Sequence, residues 1–435
     1  MTVLRIALAI VAASGATVGC KGNDSSASID VVGVWGGSEQ AEFRKVLDLF
    51  EKENNVEVSY TQIPSDSFRK DLLERVENGD PPDVAILPQS GLLRELARLG
   101  KLVPIEDEVG SLVDKNYNPI WRKLGSAQGK LYGVWYKAAH KSLLWYSPKA
   151  FTTINQNPPD AFGRLGEIAP ALLPAKLAPL SVGGGDGWVL TDWFENVYLR
   201  TAGVAKYEQL ACHQIRWDDD SVKKALRILG EVWGPSEWLA GRSEGARATT
   251  FAKSVEQVFG DSPTAAMLAG ADFVAGFLPA GKRVGVHARY VAFPAIEGKS
   301  AVVAGGDVSV ILKKDDQKES RKANGQRRER SGQLIRFLAT PAAADSWARA
   351  GTFISPNSAL SFSVYPDTSL SLARSLQETE LLQYDLSDQQ PASFGGAGDQ
   401  GMWRVLQDFL LDPSQVDRAA GELEAGARVA DVNCK

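Results

Sequence analysis

The residues best placed to do chemistry are carboxylates set among indole rings. Asp186, Trp188, Asp192, Trp193 and Glu195 fall within one short stretch. A pyranose has a C–H face that packs on an aromatic plane and a rim of hydroxyls that need directed hydrogen bonds, so tryptophan beside carboxylate is the pairing a sugar site requires. The pairing recurs in Trp35, Gly36, Gly37, Ser38 and Glu39. There Glu39 could accept from two hydroxyls while Ser38 or the backbone at Gly36 donates. Gln89 follows an apolar run, Trp135 lies in a β-prone run, Gly306 and Asp307 belong to a Gly-Gly-Asp triplet, and Phe394 and Trp403 flank a glycine-rich segment. These complete the candidates that the residues themselves suggest. The competing chemistry is glycoside hydrolysis, which needs an acid and a base or nucleophile on either side of the scissile bond. Asp192 and Glu195 are the carboxylates it would use.

Other catalytic patterns are weaker. Gly298-Lys299-Ser300 ends like a phosphate-binding loop, but Phe293 occupies the place of its first glycine. Gly241-Arg242-Ser243-Glu244-Gly245 matches the serine-hydrolase pattern without a strand-to-elbow-to-helix setting around it. Asp218-Asp219-Asp220 lacks EF-hand spacing and reads as a helix cap before Ser221. Three histidines against 11 tryptophans favour an aromatic binding surface over acid–base or metal chemistry. No metal or cofactor is expected.

The elements that must carry these residues alternate. Ile29 to Trp35 reads as a buried strand that breaks at Gly36-Gly37-Ser38 before a helix over Glu39 to Glu53. Val56 to Ile63 is a second strand, Ser67 to Glu77 an amphipathic helix, Val84 to Leu87 a third strand and Gly91 to Leu99 a helix. Such an order predicts a mainly parallel sheet with helices on both faces, loops at the carboxyl ends of its strands opening on a ligand cleft. Leu131 to Tyr136 and Ser142 to Tyr146 are β-prone runs where the chain first leaves one lobe for another, and a second crossing falls near Glu297-Gly298-Lys299. Between them lies a helix-rich region that includes Thr191 to Thr201, Ser221 to Trp233 and Thr249 to Phe259. Trp121, Trp217, Trp233, Trp238 and Trp347 sit in apolar helical settings and read as core.

Composition sets the broad class. The 435 residues are 44% hydrophobic and 23% charged, values of a folded protein of two or three domains. The net charge of −5 provides no overall drive toward nucleic acid or anionic lipid, and the mixed-sign run from Lys313 to Arg330 reads as a solvated loop and helix start. Residues 1–19 form a signal peptide, with Arg5 ahead of an apolar run, and Thr17-Val18-Gly19-Cys20 ends it like a lipobox that would leave Cys20 diacylated. Residues 20–28 would be a polar, flexible tether. In that oxidising compartment Cys212 and Cys434 could be bridged.

Four segments, in order along the chain, carry a resemblance. They are Val34 to Glu39; Pro81-Pro82-Asp83-Val84 with Leu96 to Pro104; Gly129-Lys130-Leu131-Tyr132-Gly133 with Lys141 to Phe151; and Ala339-Thr340-Pro341 with Gly351 to Asn357. Together they resemble the extracellular solute-binding proteins (family 1) of carbohydrate ABC importers, in particular the α-glucoside branch. Thr191-Asp192-Trp193, Gly305-Gly306-Asp307 and Val364-Tyr365-Pro366 are similar to that branch, whereas the charged insert around Arg321 to Arg330 departs from it. The resemblance implies a two-lobe, type II periplasmic-binding-protein-like fold with the sugar in an interlobe cleft. Lobe 1 would comprise 29–138 and 300–352, and lobe 2 would comprise 139–299 and 353–435. It adds Phe273 as an aromatic under the sugar. It also implies a monomeric, non-enzymatic receptor on the extracytoplasmic face of the membrane or in the periplasm, handing its cargo to permease subunits and their ATPase. The rivals are a secreted glycoside hydrolase and a same-fold receptor for a polyol or glycerol phosphate; a phosphate would want a lysine or arginine cluster that the candidate loops lack.

Overall fold

The computed structural model describes residues 28–432 apart from 66, 107, 315–320, 380–381 and 397–399. The strands that matter are β1 (Ser28–Gly33), β2 (Glu57–Gln62), β3 (Val84–Leu87), β4 (Gly133–His140), β5 (Leu143–Tyr146), β6 (Ala178–Leu180), β7 (Ala265–Ala269), β8 (Arg289–Ala292), β9 (Val302–Ile311) and β10 (Leu382–Tyr384). One sheet runs β10-β9-β3-β1-β2 with β4 also on β9, and the second runs β8-β5-β7-β6. β3 and β4 are buried along their whole length, as their near-continuous apolar runs require in strands covered on both faces.

Parallel pairs arise where helices connect the strands: β1 with β2, β1 with β3, β9 with β10 and β6 with β7. The antiparallel pairs within these two sheets all involve β4, β5, β8 or β9, which flank the passages between the sheets. Each sheet is therefore mixed. The chain leaves the first sheet at Lys141-Ser142, between β4 and β5, and returns through residues 293–301, between β8 and β9. Both crossings anticipated from sequence are present.

The first helix, α1 (Gly37–Asn54), buries Phe43, Val46, Leu47 and Phe50, one apolar stripe at helical spacing, and ends at Asn55 in the left-handed region. The helices α2 (Phe68–Glu77) and α3 (Ser90–Arg98) repeat the pattern. In the other half α4 (Trp188–Ala202) is different, because every residue from Val189 to Arg200 is buried. A helix buried on all sides has no solvent face, and α5 (Asp220–Trp233) and α6 (Gly401–Leu411) pack on it.

The crossings are pinned to α4. The Asn196 amide donates to the carbonyl of Lys141 at 2.9 Å, and Arg200 donates to the carbonyls of Phe293 and Ala301 at 3.3 and 2.9 Å. Between the crossings the Lys141 amide donates to the Val303 carbonyl at 2.9 Å, and the Val303 amide to the Ser142 hydroxyl at 2.8 Å. Residues 382–384, expected with the second lobe, instead form β10 on the first sheet. An edge strand of three residues leaves no periodicity to read. After it, the 385–390 loop leads the chain back to helices that pack on α4.

Candidate functional site

The crossing strand β4 reads Gly-Val-Trp-Tyr-Lys-Ala-Ala-His and is wholly buried, so Lys137 is a charge in the core and must be paired. Its ammonium forms a close ion pair with Glu39 at the start of α1. Asp307 lies directly across the ladder from Lys137. The Asp307 carboxylate accepts from Trp35 Nε1 at 3.1 Å. Asp272, entering from the second half of the molecule, accepts from the His140 amide at 2.6 Å. Burial pushes the Lys137 ammonium toward neutrality, but Glu39, Asp307 and Asp272 outweigh it and its pKa is raised. Burial lifts both Asp272 and Asp307 to about 6 against the pull of Lys137.

Four residues on, Lys141 is the centre of a second cluster. It contacts Asp192 on α4 at 3.2 Å, Asp388 at 3.4 Å, and Asp385 closer still. Burial raises Asp192 to about 7 despite Lys141. Burial also lifts Asp388 and Glu195 well above the usual carboxylate range. Asp385 goes the other way: burial opposes its charge, yet Lys141, the Asp388 amide and the Ser387 hydroxyl hold its pKa low. Glu195 accepts from the amides of Leu386 and Ser387 at 2.7 and 2.9 Å and from the Tyr207 hydroxyl at 3.1 Å. It fixes the loop that carries Asp385 and Asp388.

Two half-buried rings lie between the clusters. Trp188 and Phe273 have centroids 5.9 Å apart, with Phe251 behind them at 4.8 and 5.6 Å. The Lys141 ammonium is 6.0 Å from the Trp188 ring and that of Lys137 is 5.7 Å from the Phe273 ring. The two sides of the molecule meet beside them, where the Ser38 hydroxyl donates to the Gly276 carbonyl at 2.9 Å. Glu39, Asp192, Phe273, Trp188 and Asp307 are thus gathered as the sequence suggested, and Ser38 is engaged across the gap rather than aimed at it.

Other expected residues have structural duties. Trp193, expected to stack on a sugar, is buried against Trp233 and Phe293, because α4 has no open face. Trp135 packs on Trp121 and Tyr384. Trp35 packs on Phe43 and Trp347 and offers only its Nε1, to Asp307. Phe394 packs on Trp217. Trp403 covers Gly187, whose φ of +70° and lack of a Cβ admit the indole within 2.6 Å of where a Cβ would lie. Gly36 caps α1 and Gly37 opens it at φ +56°. The Gln89 amide lies against Gly396. Gly306 sits in the ladder, where a Cβ would come within 2.3 Å of the Lys137 carbonyl, so it lets β9 approach β4 rather than presenting amides. Cys212 is disulfide-bonded, while Cys434 and Cys20 lie outside the described residues.

Sequence reasoning missed Lys137, Lys141, Asp272, Asp385 and Asp388. The signal for Lys137 was present: a cation inside the largely apolar strand β4, with Lys141 just past its end. These lysines lie at the crossing rather than in the candidate loops, and each is neutralised by several carboxylates.

Comparison with known proteins bears on the family and the fold. The family model described as bacterial extracellular solute-binding protein matches residues 36–345. The osmoprotective compounds-binding protein GgtB of Synechocystis is 31% identical over 429 residues, 96% of each chain. The alpha-glucosides-binding periplasmic protein AglE of Rhizobium meliloti is 29% identical, over 93% of this chain and 88% of its own. Among solved structures, the bacterial solute receptor AcbH superposes with a TM-score of 0.80 at 18% identity, covering 93% of this chain and 99% of its own. Maltose-bound MalE3 of T. maritima does so at 0.71 and 16% identity, covering 93% and 99%.

Proposed function

Because the chain belongs to the bacterial extracellular solute-binding proteins, we propose that it is the lipid-anchored receptor of a carbohydrate ABC importer and that its cargo is an α-glucoside. It is a two-lobe, type II periplasmic-binding-protein-like protein, of the kind that serves sugar importers. The observation that carries the ligand reading is the half-buried pair Trp188 and Phe273 between two carboxylate-rich clusters, at the junction of the sheets. The rings offer faces to pyranose C–H groups. Glu39, Asp307 and Asp192 offer acceptors to hydroxyls, and a protonated Asp192 can also donate.

The lobes are 29–138 with 300–352 and 139–299 with 353–435, except that residues 382–384 belong to the first sheet. The junction at Lys141-Ser142 and 293–301 is the hinge. Closure about such a hinge changes few torsions and brings Ser38 onto Gly276. The monomer loads in the cleft and delivers to the permease and ATPase. Residues 1–19, most of the 20–28 tether and Cys20 lie outside the described residues, and the anchor rests on the sequence alone.

Against hydrolysis, Asp192 is engaged with Lys141, and Glu195 has both oxygens occupied by Leu386, Ser387 and Tyr207. Glu195 is therefore not placed as a free acid or base. Incubation with maltose and longer malto-oligosaccharides should return them intact; release of glucose would overturn the receptor reading. A second reading, a small osmoprotective solute, is favoured by the Synechocystis relative named for such compounds. Six buried carboxylates and the half-buried Asp307 around two lysines disfavour a phosphate ester in either case.

A further inference from the structure

We propose that the base of the first lobe, at the opposite end of its sheet from the sugar site, is a docking surface for the anionic headgroups of membrane phospholipids. The inference rests on the receptor working at the outer face of a membrane.

The surface is built around a cavity of about 260 Å³ lined by Asp83, Lys313, Lys314, Asn324, Arg327 and Arg328 among others. Among the described residues, four cations and one carboxylate gather there in a chain whose net charge is −5. Asp83 is engaged on both oxygens: one faces Lys314 at 3.1 Å and Arg327 at 3.4 Å, and the other accepts from the Asp30 amide at 2.8 Å. It orders two of the cations without neutralising the set. Lys313 and Arg328 are exposed and make no ion pair among the described residues. Arginine matches the geometry of a phosphate diester, and a patch of this sign attracts an anionic bilayer surface once it comes within a Debye length.

The placement selects the occupant. Glu39 and Gln89 follow the carboxyl ends of β1 and β3, whereas Asp83 precedes β3 and Lys313 follows the end of antiparallel β9. The cavity therefore faces away from the sugar site. The start of β1 shares its edge, since the Asp83 amide donates to the Asp30 carbonyl at 2.9 Å, two residues from Ser28. From Cys20 to Ser28 the chain can span at most about 30 Å even when fully extended. An acyl anchor at Cys20 would keep this edge nearest the bilayer, and the patch would seat the unengaged receptor with its sugar site directed outward.

The test uses the chain from Lys21, which retains every described residue but has neither the apolar leader nor Cys20. It should co-sediment at low salt with vesicles of equal parts phosphatidylglycerol and phosphatidylcholine, and be released by added salt. The pair Lys313→Glu and Arg328→Glu should reduce that binding at least about 30-fold, as expected for losing two surface cations. Neither residue touches the sugar site or Asp83, so the variant's thermal unfolding and response to sugar should match those of the parent, and the milder Lys313→Gln, Arg328→Gln pair should give a smaller loss of binding. Equal binding to pure phosphatidylcholine, or binding unchanged by the reversals, would overturn the proposal. So would saturation by inorganic phosphate without any affinity for vesicles. None of these results bears on sugar recognition, which the ligand response reads separately.

Discussion

Removing the Lys141 ammonium, by Lys141→Met, tests the electrostatic design of the site. This side chain faces Asp192 at 3.2 Å and Asp388 at 3.4 Å, with Asp385 nearer, and is itself almost fully buried. Methionine keeps most of the stem that packs beneath Gly305 but leaves three carboxylates without their cation. Breaking a buried pair from one side costs about 3–5 kcal/mol. For a lobe of 150–250 residues that lowers Tm by roughly 6–20 °C. The loss should depend on pH in a defined direction. Without Lys141 the carboxylates can relieve their repulsion only by binding protons, so the deficit relative to the parent should be larger at pH 8 than at pH 5. Calorimetric unfolding of both proteins at the two pH values reads this directly. A Tm within 2 °C of the parent's at pH 8, or a deficit that grows toward pH 5, would refute the assignment of Lys141 as the charge holding α4 to the 385–390 loop.

Trp188→Ala should weaken binding of the cognate sugar by 10- to 100-fold in titration calorimetry, about the cost of losing a central aromatic contact. Trp193→Ala should instead cost about 3–5 kcal/mol of stability in denaturant titrations, with the sugar affinity of the folded protein little changed; the reverse pattern would return Trp193 to the site. Gly91→Ala should destabilise by about 1–3 kcal/mol through overpacking, since its Cβ would fall 1.7 Å from the Gln390 carbonyl oxygen. The ligand-free parent should lose stability as pH rises from about 5 to 8. Asp192, at about 7, and Asp272 and Asp307, at about 6, hold protons in the folded state that the unfolded chain has released near pH 4. His140, depressed to about 4 by burial, acts the opposite way between pH 4 and 6.5, but one imidazole opposes three carboxylates. Asp192→Asn should flatten the profile above pH 6, and a Tm that rises steadily to pH 8 would contradict these shifts.

The strand and helix order from Ile29 to Leu99 was legible because each element carries its own period, and both crossings were legible as β-prone runs broken by short connections. Burial on all sides was not. Trp188 and Trp193 look equivalent in sequence, yet they are five residues apart on a helix, and only Trp188, at its first turn, escapes the packing of α5 and α6. Trp35 and Trp135 were misread for the same reason: an indole in a strand shows its size but not which neighbour covers it. The lysine clusters depend on contacts between residues as distant as Lys141 and Asp385, which no local pattern records. Lys137 was the exception, since a cation inside an eight-residue apolar strand already demands a partner. β10 was missed because three residues carry no period.

The most direct measurement is thermal unfolding of the chain from Lys21 against maltose, trehalose, sucrose, longer α-glucans, polyols and glycerol phosphates. A ligand at 100 times its Kd adds about 2.7 kcal/mol to the native state, which raises Tm by roughly 5–11 °C for a lobe of 150–250 residues. A rise of that size with an α-glucoside, abolished by Trp188→Ala, is the predicted result. A response to a polyol or glycerol phosphate with none to any sugar would contradict it.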